Sequence, residues 1–343
     1  MTAHMDYYQA VASQPAKLAA SAAAVTSALA GLDLSPWRTG VLAVASMGAS
    51  AHAGHALVHR LARAGRRAVN IDASDLISLG AGADIADSYV FISEGGRSRE
   101  TVEAAALVPP GARLGITNAP SAPISGVVDA LVGLEHGEDS RVYTVGYTAT
   151  LQAFGLLATA IDGQDAADQW ASLPELVQVT LDELADAAAH VAPVLSKARS
   201  IDFVGSGSSR ASVTEAALLF RESTRISTAS YETYQYLHGP MECLTSEHAC
   251  VLLGEDREVA LARYLARAGV TTVLITSESV EQEEGLSVLP IRRAPDPSRG
   301  ILQILPAQLI AGELARLRGL GIDGFLYHQD DTKIDQLRPA TAG

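Results

Sequence analysis

Short, almost wholly apolar runs alternate along this chain with longer stretches whose apolar residues recur at helical spacing. Residues 41–46 (VLAVAS), 88–93, 113–117 and 127–134 have the length and continuous apolarity of strands covered on both faces. A weaker strand is expected over 68–71, with a polar turn at Ser74-Asp75 after it. The amphipathic stretches reaching Arg66, spanning ETVEAAALV and running to about Asp162 predict helices between these strands. A polar connector over 162–168 precedes a long helix at 173–196 that should bridge two halves. The alternation then resumes, with strands at 200–204, 249–253 and 271–275 and an edge strand near 286–289. Helices are expected through Glu215 and Glu222, over 256–268 and over 301–317. At the other end, residues 5–31 read as an Ala- and Leu-rich helix interrupted at Gln14-Pro15, where a proline would suit a first turn.

Strands alternating with helices imply parallel sheets joined by right-handed crossovers. The predicted fold class is α/β, as two tandem, doubly wound, three-layer lobes, because 343 residues exceed what one core usually serves. The expected division is an N-terminal helix (1–30), a first unit (31–165), a bridging helix (166–198), a second unit (199–320) and a tail (321–343).

A net charge of −14 argues against nucleic acid or an anionic membrane as partner, since both would be repelled over much of the surface. A phosphorylated small molecule stays open to it, because that needs only local donors. The N-terminus lacks a basic segment followed by an apolar one, and no apolar run is long enough to span a bilayer, so a cytoplasmic protein is expected. Cys243 and Cys250 form neither a disulfide framework nor a zinc pattern, and no metal or cofactor is expected.

Two turns carry candidate binding chemistry. Met47-Gly48-Ala49-Ser50 takes a strand into a helix, placing backbone amides and the Ser50 hydroxyl where a helix dipole favours an anion. Ser50 is equally suited to capping its own helix. Ser93-Glu94-Gly95-Gly96-Arg97-Ser98 repeats the arrangement after another strand, and two such loops at the carboxyl ends of neighbouring strands would converge. In the second half, Glu222 on a helix and the turn His238-Gly239-Pro240 bring an acid and an imidazole, the pair that proton transfer between adjacent sugar carbons requires. Gly205–Ser209 (GSGSS) reads as a structural turn and His136 as an exposed loop histidine.

The run E-x-A-L-x-x-x-E over 215–222, then a tyrosine, then H-G-P at 238–240 resembles the sugar isomerase (SIS) domain family. In particular it resembles the isomerase half of the glucosamine-6-phosphate synthases, and the loop over 93–101 also resembles the ketose/aldose isomerases of amino-sugar catabolism. The resemblance covers about residues 5–320. It implies Glu222, His238 and a tail lysine, Lys333, as catalytic residues. It implies Gly48, Ser50, Ser93, Glu94, Gly95, Gly96 and Ser98 as substrate-binding, with Val142 and Thr144 on a loop that closes over the ligand. Three departures stand out: Gly95 replaces the middle serine of the family's phosphate loop, Glu94 puts a carboxylate beside it, and Leu219 stands where the synthases have a lysine. A carboxylate facing a phosphate would repel it, so Glu94 must turn away, or Arg97 must compensate, or the distal group is not a phosphate dianion. The implied activity is phosphosugar isomerisation by C1/C2 proton transfer in a homodimer whose HGP histidine completes the neighbour's site. Isomerising deamination and non-catalytic sugar-phosphate sensing are the alternatives. With Thr2 at the second position and no room for a glutaminase domain, the glutamine-using synthase is not expected. A base for an enediol needs a pKa near working pH, so Glu222 should be partly buried.

Overall fold

The computed structural model describes residues 4–336 apart from 81, 83, 84, 165, 166, 328 and 330. Its first sheet is built from β1 (Val41–Ser46), β2 (Arg67–Asp72), β3 (Ser88–Ile92), β4 (Arg113–Thr117) and β5 (Ala130–Gly133), all parallel, in the order β2-β1-β3-β4-β5. The second comprises β6 (Ser200–Val204), β7 (Ser227–Tyr231), β8 (His248–Leu253), β9 (Thr271–Thr276) and β10 (Leu286–Pro290), also parallel, in the order β10-β9-β8-β6-β7. Read from its other edge, the second sheet winds as the first does. The helices are α1 (Tyr7–Ala30), α2 (Ala49–Arg63), α3 (Ala73–Leu79), α4 (Arg99–Leu107), α5 (Val145–Asp162), α6 (Ala167–Leu195), α7 (Ser209–Thr224), α8 (Thr233–Leu237), α9 (Arg257–Arg267) and α10 (Ser298–Leu317).

Burial follows position in the sheet. Every residue of β3 is buried, whereas β2, at an edge, alternates exposed and half-buried positions. One apolar cluster fills the space between the sheets, joining Val44 and Ile92 to Phe154, Leu184, Phe203, Phe220 and Ile304. Two smaller clusters cover the sheets' outer faces. The two sheets therefore share a core.

The helix α1 is continuous, against the expected break at Gln14-Pro15. Asp6 caps it by accepting from the Tyr8 and Gln9 amides at 3.0 and 3.2 Å. Pro15 has no N–H to give the Val11 carbonyl one turn back. The Gln14 side-chain amide donates to that carbonyl instead, at 3.2 Å, and also to Gln308 Oε1 at 2.8 Å. The buried Thr148 hydroxyl donates to Gln14 Oε1 at 2.8 Å, so one side chain links α1, α5 and α10.

Two further elements depart from the sequence reading. Residues taken as a polar turn at 74–75 lie inside α3, and the segment ahead of the HGP turn contains the edge strand β7 and the short helix α8. The tyrosine Tyr236 fastens α8 to the sheet, its hydroxyl donating to Asp202 Oδ2 on β6 at 2.8 Å.

Candidate functional site

In both sheets the chain turns opposite ways after two adjacent strands, and the crevice between the resulting loops is where open α/β sheets take ligands. In the second sheet that crevice is filled by the chain's own groups. Ser208 donates to Asp296 at 2.7 Å, while Arg299 and Ser277 donate to Glu255 at 2.8 and 2.9 Å. The GSGSS turn is thus internally satisfied.

The first crevice is open. A side-chain carbon added at Gly48 or at Gly95 would meet nothing within 4 Å. Gly48 holds φ +58° and leads into α2, whose first turn presents the half-buried Ser50; its hydroxyl has no hydrogen-bond partner among the described residues. In the loop after β3, the buried Ser93 hydroxyl accepts from the Ser98 amide at 3.2 Å and closes the turn. Gly96 has φ +64° and lies so close to Ala122 that a Cβ would fall 2.4 Å from it. Ser98 begins α4, its hydroxyl 3.5 Å from Glu100 Oε2.

The Glu94 carboxylate is turned out of the crevice toward His136, whose Nε2 lies 3.2 Å away. Burial by itself would raise the Glu94 pKa, but His136, Tyr143 and Asn118 outweigh it and hold the carboxyl below its ordinary value. His136 is accordingly buried, at 2 % exposure, where the sequence suggested an exposed loop. Arg97 does not compensate Glu94; its guanidinium is paired with Asp335 in the tail.

Val142 and Thr144 have almost no exposed surface, at 1 % and 0 %. The Val142 carbonyl accepts from Ser140, and the Thr144 hydroxyl donates to Asp139 Oδ1 at 2.6 Å. The second oxygen of Asp139 accepts from the Thr144 and Gly146 amides at 3.0 and 2.7 Å. Asp139 thus holds Thr144 and Gly146 at the start of α5, and the Val142 and Thr144 side chains are buried.

Across the crevice stands α7, set on the sheet by an edge-to-face contact of Phe220 with Phe203 at 4.9 Å, a pair worth about 1 kcal/mol beyond its buried area. It carries Glu215 and Glu222 two turns apart, hence on one face. Leu219, between them, is buried. The Glu215 carboxyl is 5 % exposed and hydrogen-bonded at 2.9 Å to Nδ1 of His52, which α2 brings from the first half. Burial pushes the Glu215 pKa up, and His52 draws it partly back. Glu222 is half-buried, and its carboxyl is raised from 4.5 to about 7, first by burial and then by the neighbouring Glu215 charge, with His52 and Arg225 opposing. A carboxyl held near neutrality can accept and return a proton at physiological pH.

His238 lies on the exposed turn after α8, and among the described residues no hydrogen bond or ion pair joins it to Glu222. Within one chain the imidazole nearest the acids is His52. Lys333 is exposed, and its backbone forms an antiparallel bridge with Ser98, so the tail runs along the loop after β3. Local sequence offered no signal for the His52–Glu215 pair, because its members are 163 positions apart. No grouping of three or more metal-binding side chains occurs among the described residues, nor does any helix there long and apolar enough to cross a membrane.

The SIS domain family matches residues 194–318. Human glutamine–fructose-6-phosphate aminotransferase [isomerizing] 2 is 27 % identical over 256 residues, covering 69 % of this chain and 37 % of that protein. The chain spans about two fifths of the length of the curated relatives it matches. Among solved structures, tagatose-6-phosphate ketose/aldose isomerase from Escherichia coli superposes with a TM-score of 0.77 at 20 % identity, covering 95 % of this chain and 96 % of that one. Glucosamine-6-phosphate deaminase from Thermotoga maritima gives 0.70 at 18 % identity, covering 92 % and 97 %.

Proposed function

We propose that the chain is a phosphosugar isomerase acting by C1/C2 proton transfer, a reading supported by the match of residues 194–318 to the SIS domain family and by the similarity to the isomerizing glutamine–fructose-6-phosphate aminotransferases. The observation that carries the reading is the Glu222 carboxyl, poised near pH 7 on the face of α7 that also bears the His52-bound Glu215. In this reading the sugar lies in the first crevice with its distal group against Ser50, Ser98 and the amides of the two glycine turns. Glu222, ionised, takes the proton from one of the two carbons, leaving an enediolate, and returns it to the other while the hydroxyl proton passes from one sugar oxygen to its neighbour. His238 assists ring opening. Because it is exposed and unpaired with Glu222 in its own chain, it does so in the crevice of a second copy.

Val142 and Thr144 act here through the start of α5 and have no direct contact with the ligand. Ser93 shapes its loop in the same indirect way. The working division is a helix over 1–30, units at 31–165 and 199–320 joined by 166–198, and a tail from 321.

The test is proton exchange. Wild-type protein incubated in D2O with fructose 6-phosphate, tagatose 6-phosphate or glucosamine 6-phosphate should label the substrate at C1 or C2, and Glu222→Gln should abolish the labelling. Exchange that survives this substitution removes Glu222 from the role. Ammonia release from glucosamine 6-phosphate decides whether loss of the amine accompanies isomerisation, and tight binding without turnover by any of the three would return the protein to the sensors.

A further inference from the structure

The tail runs along the loop after β3 and is held to it by backbone and side-chain hydrogen bonds. Ile334 N–H donates to the Arg97 carbonyl at 3.0 Å, and Arg99 N–H donates to the Thr332 carbonyl at 3.0 Å. These two bonds bracket the facing pair Ser98 and Lys333. A pair bracketed in this way exchanges no hydrogen bonds of its own, and its side chains approach most closely and leave the ribbon on one face. Ile334, next along, points to the other face and is 8 % exposed in the apolar cluster containing Phe91 and Ile124. Asp335 pairs with Arg97, and the Asp331 carbonyl accepts from the Arg99 side chain. The ribbon is therefore anchored on its inner face, and its outer face carries the Lys333 amine beside the Ser98 hydroxyl.

The charges around the loop identify what that amine is for. Glu94 faces His136, Arg97 faces Asp335, and Arg99 is 3.4 Å from Glu103. Lys333 has no ion-pair partner among the described residues. We infer that Lys333 supplies the positive charge that meets the anionic end of the ligand in the first crevice. This rests on the phosphosugar reading and assigns the lysine to binding, at the loop after β3, in place of chemistry at the carbons facing α7. It also fits a phosphate loop in which a serine has become Gly95, since the space in front of that glycine is open.

The experiment compares wild type, Lys333→Met, which keeps the aliphatic stem, and Lys333→Arg, which keeps the charge. Each is titrated with fructose 6-phosphate, glucosamine 6-phosphate, inorganic phosphate and the unphosphorylated sugars, following thermal stability, and with the phosphate esters following turnover. Charge-assisted hydrogen bonds are the strong ones, so Lys333→Met should weaken phosphate-ester binding about tenfold or more. KM should rise by the same factor, kcat should change little, Lys333→Arg should recover most of the loss, and the neutral sugars should show no difference between variants. Lys333→Met binding phosphate esters as wild type does, or losing kcat at constant KM, overturns the assignment while leaving Glu222 and the isomerase reading untouched. A wild type that responds to no phosphate ester overturns the phosphosugar reading and this inference with it.

Discussion

Replacing Glu222 by glutamine should stabilise the fold, and by an amount that depends on pH in a defined way. The carboxyl titrates near 7 in the folded chain against 4.5 as its ordinary value. At about 1.4 kcal/mol per pH unit, ionising it in place costs roughly 3 kcal/mol as an upper figure. The folded-state pKa is raised, so the group's stabilising contribution is complete below pH 4.5 and is lost as pH rises to about 7. Glutamine has no proton to lose and nearly the same shape. Urea unfolding of both proteins from pH 4 to 8.5 should give curves that run together at the acid end, separate between about pH 5 and 7, and stay apart by about 2 to 3 kcal/mol above. A difference that is flat across this range, or a variant less stable than wild type at pH 8, would refute the claim that burial and the Glu215 charge strain Glu222. The proposed proton transfer would then need another base.

Two more outcomes follow from the loops that frame the crevice. Gly96→Ala should destabilise the protein by about 2 kcal/mol or more, since it combines a left-handed backbone with a Cβ 2.4 Å from Ala122, and a denaturation midpoint equal to wild type would show that the turn relaxes at no cost. Asp139→Ala orphans the Thr144 and Gly146 amides at the start of α5 and should cost about 2 to 4 kcal/mol, read by thermal unfolding with faster amide exchange over residues 140–148.

The fold was legible where the residues were extreme. Fully apolar runs such as VLAVAS and the segment 88–92 could only be buried strands, and their alternation with helices set the two parallel sheets. The strand STASY was not seen, because an edge position lets serine, threonine and alanine stand where valine or isoleucine would have signalled it. The half-burial of Glu222 was anticipated from the chemistry proposed for it. His136 was misread because a loop of Glu, Gly and Asp looks solvated from sequence, whereas Glu94 lies folded over it. The hydrogen bond from the Thr144 hydroxyl to Asp139, five positions earlier, was not visible in the sequence. That both sheets contribute to one apolar cluster was not legible, since periodicity reports which face of a helix is apolar and not which sheet that face will meet.

The stand-in at the Val11 carbonyl makes positions 14 and 15 mutually dependent. Pro15→Ala would return a backbone donor to that oxygen and leave the Gln14 amide one partner fewer to serve. The penalty for losing Gln14 should therefore be smaller once proline has gone. Along any lineage of such chains the order of the two replacements matters: shedding the amide first is expensive, and shedding the ring first opens the way.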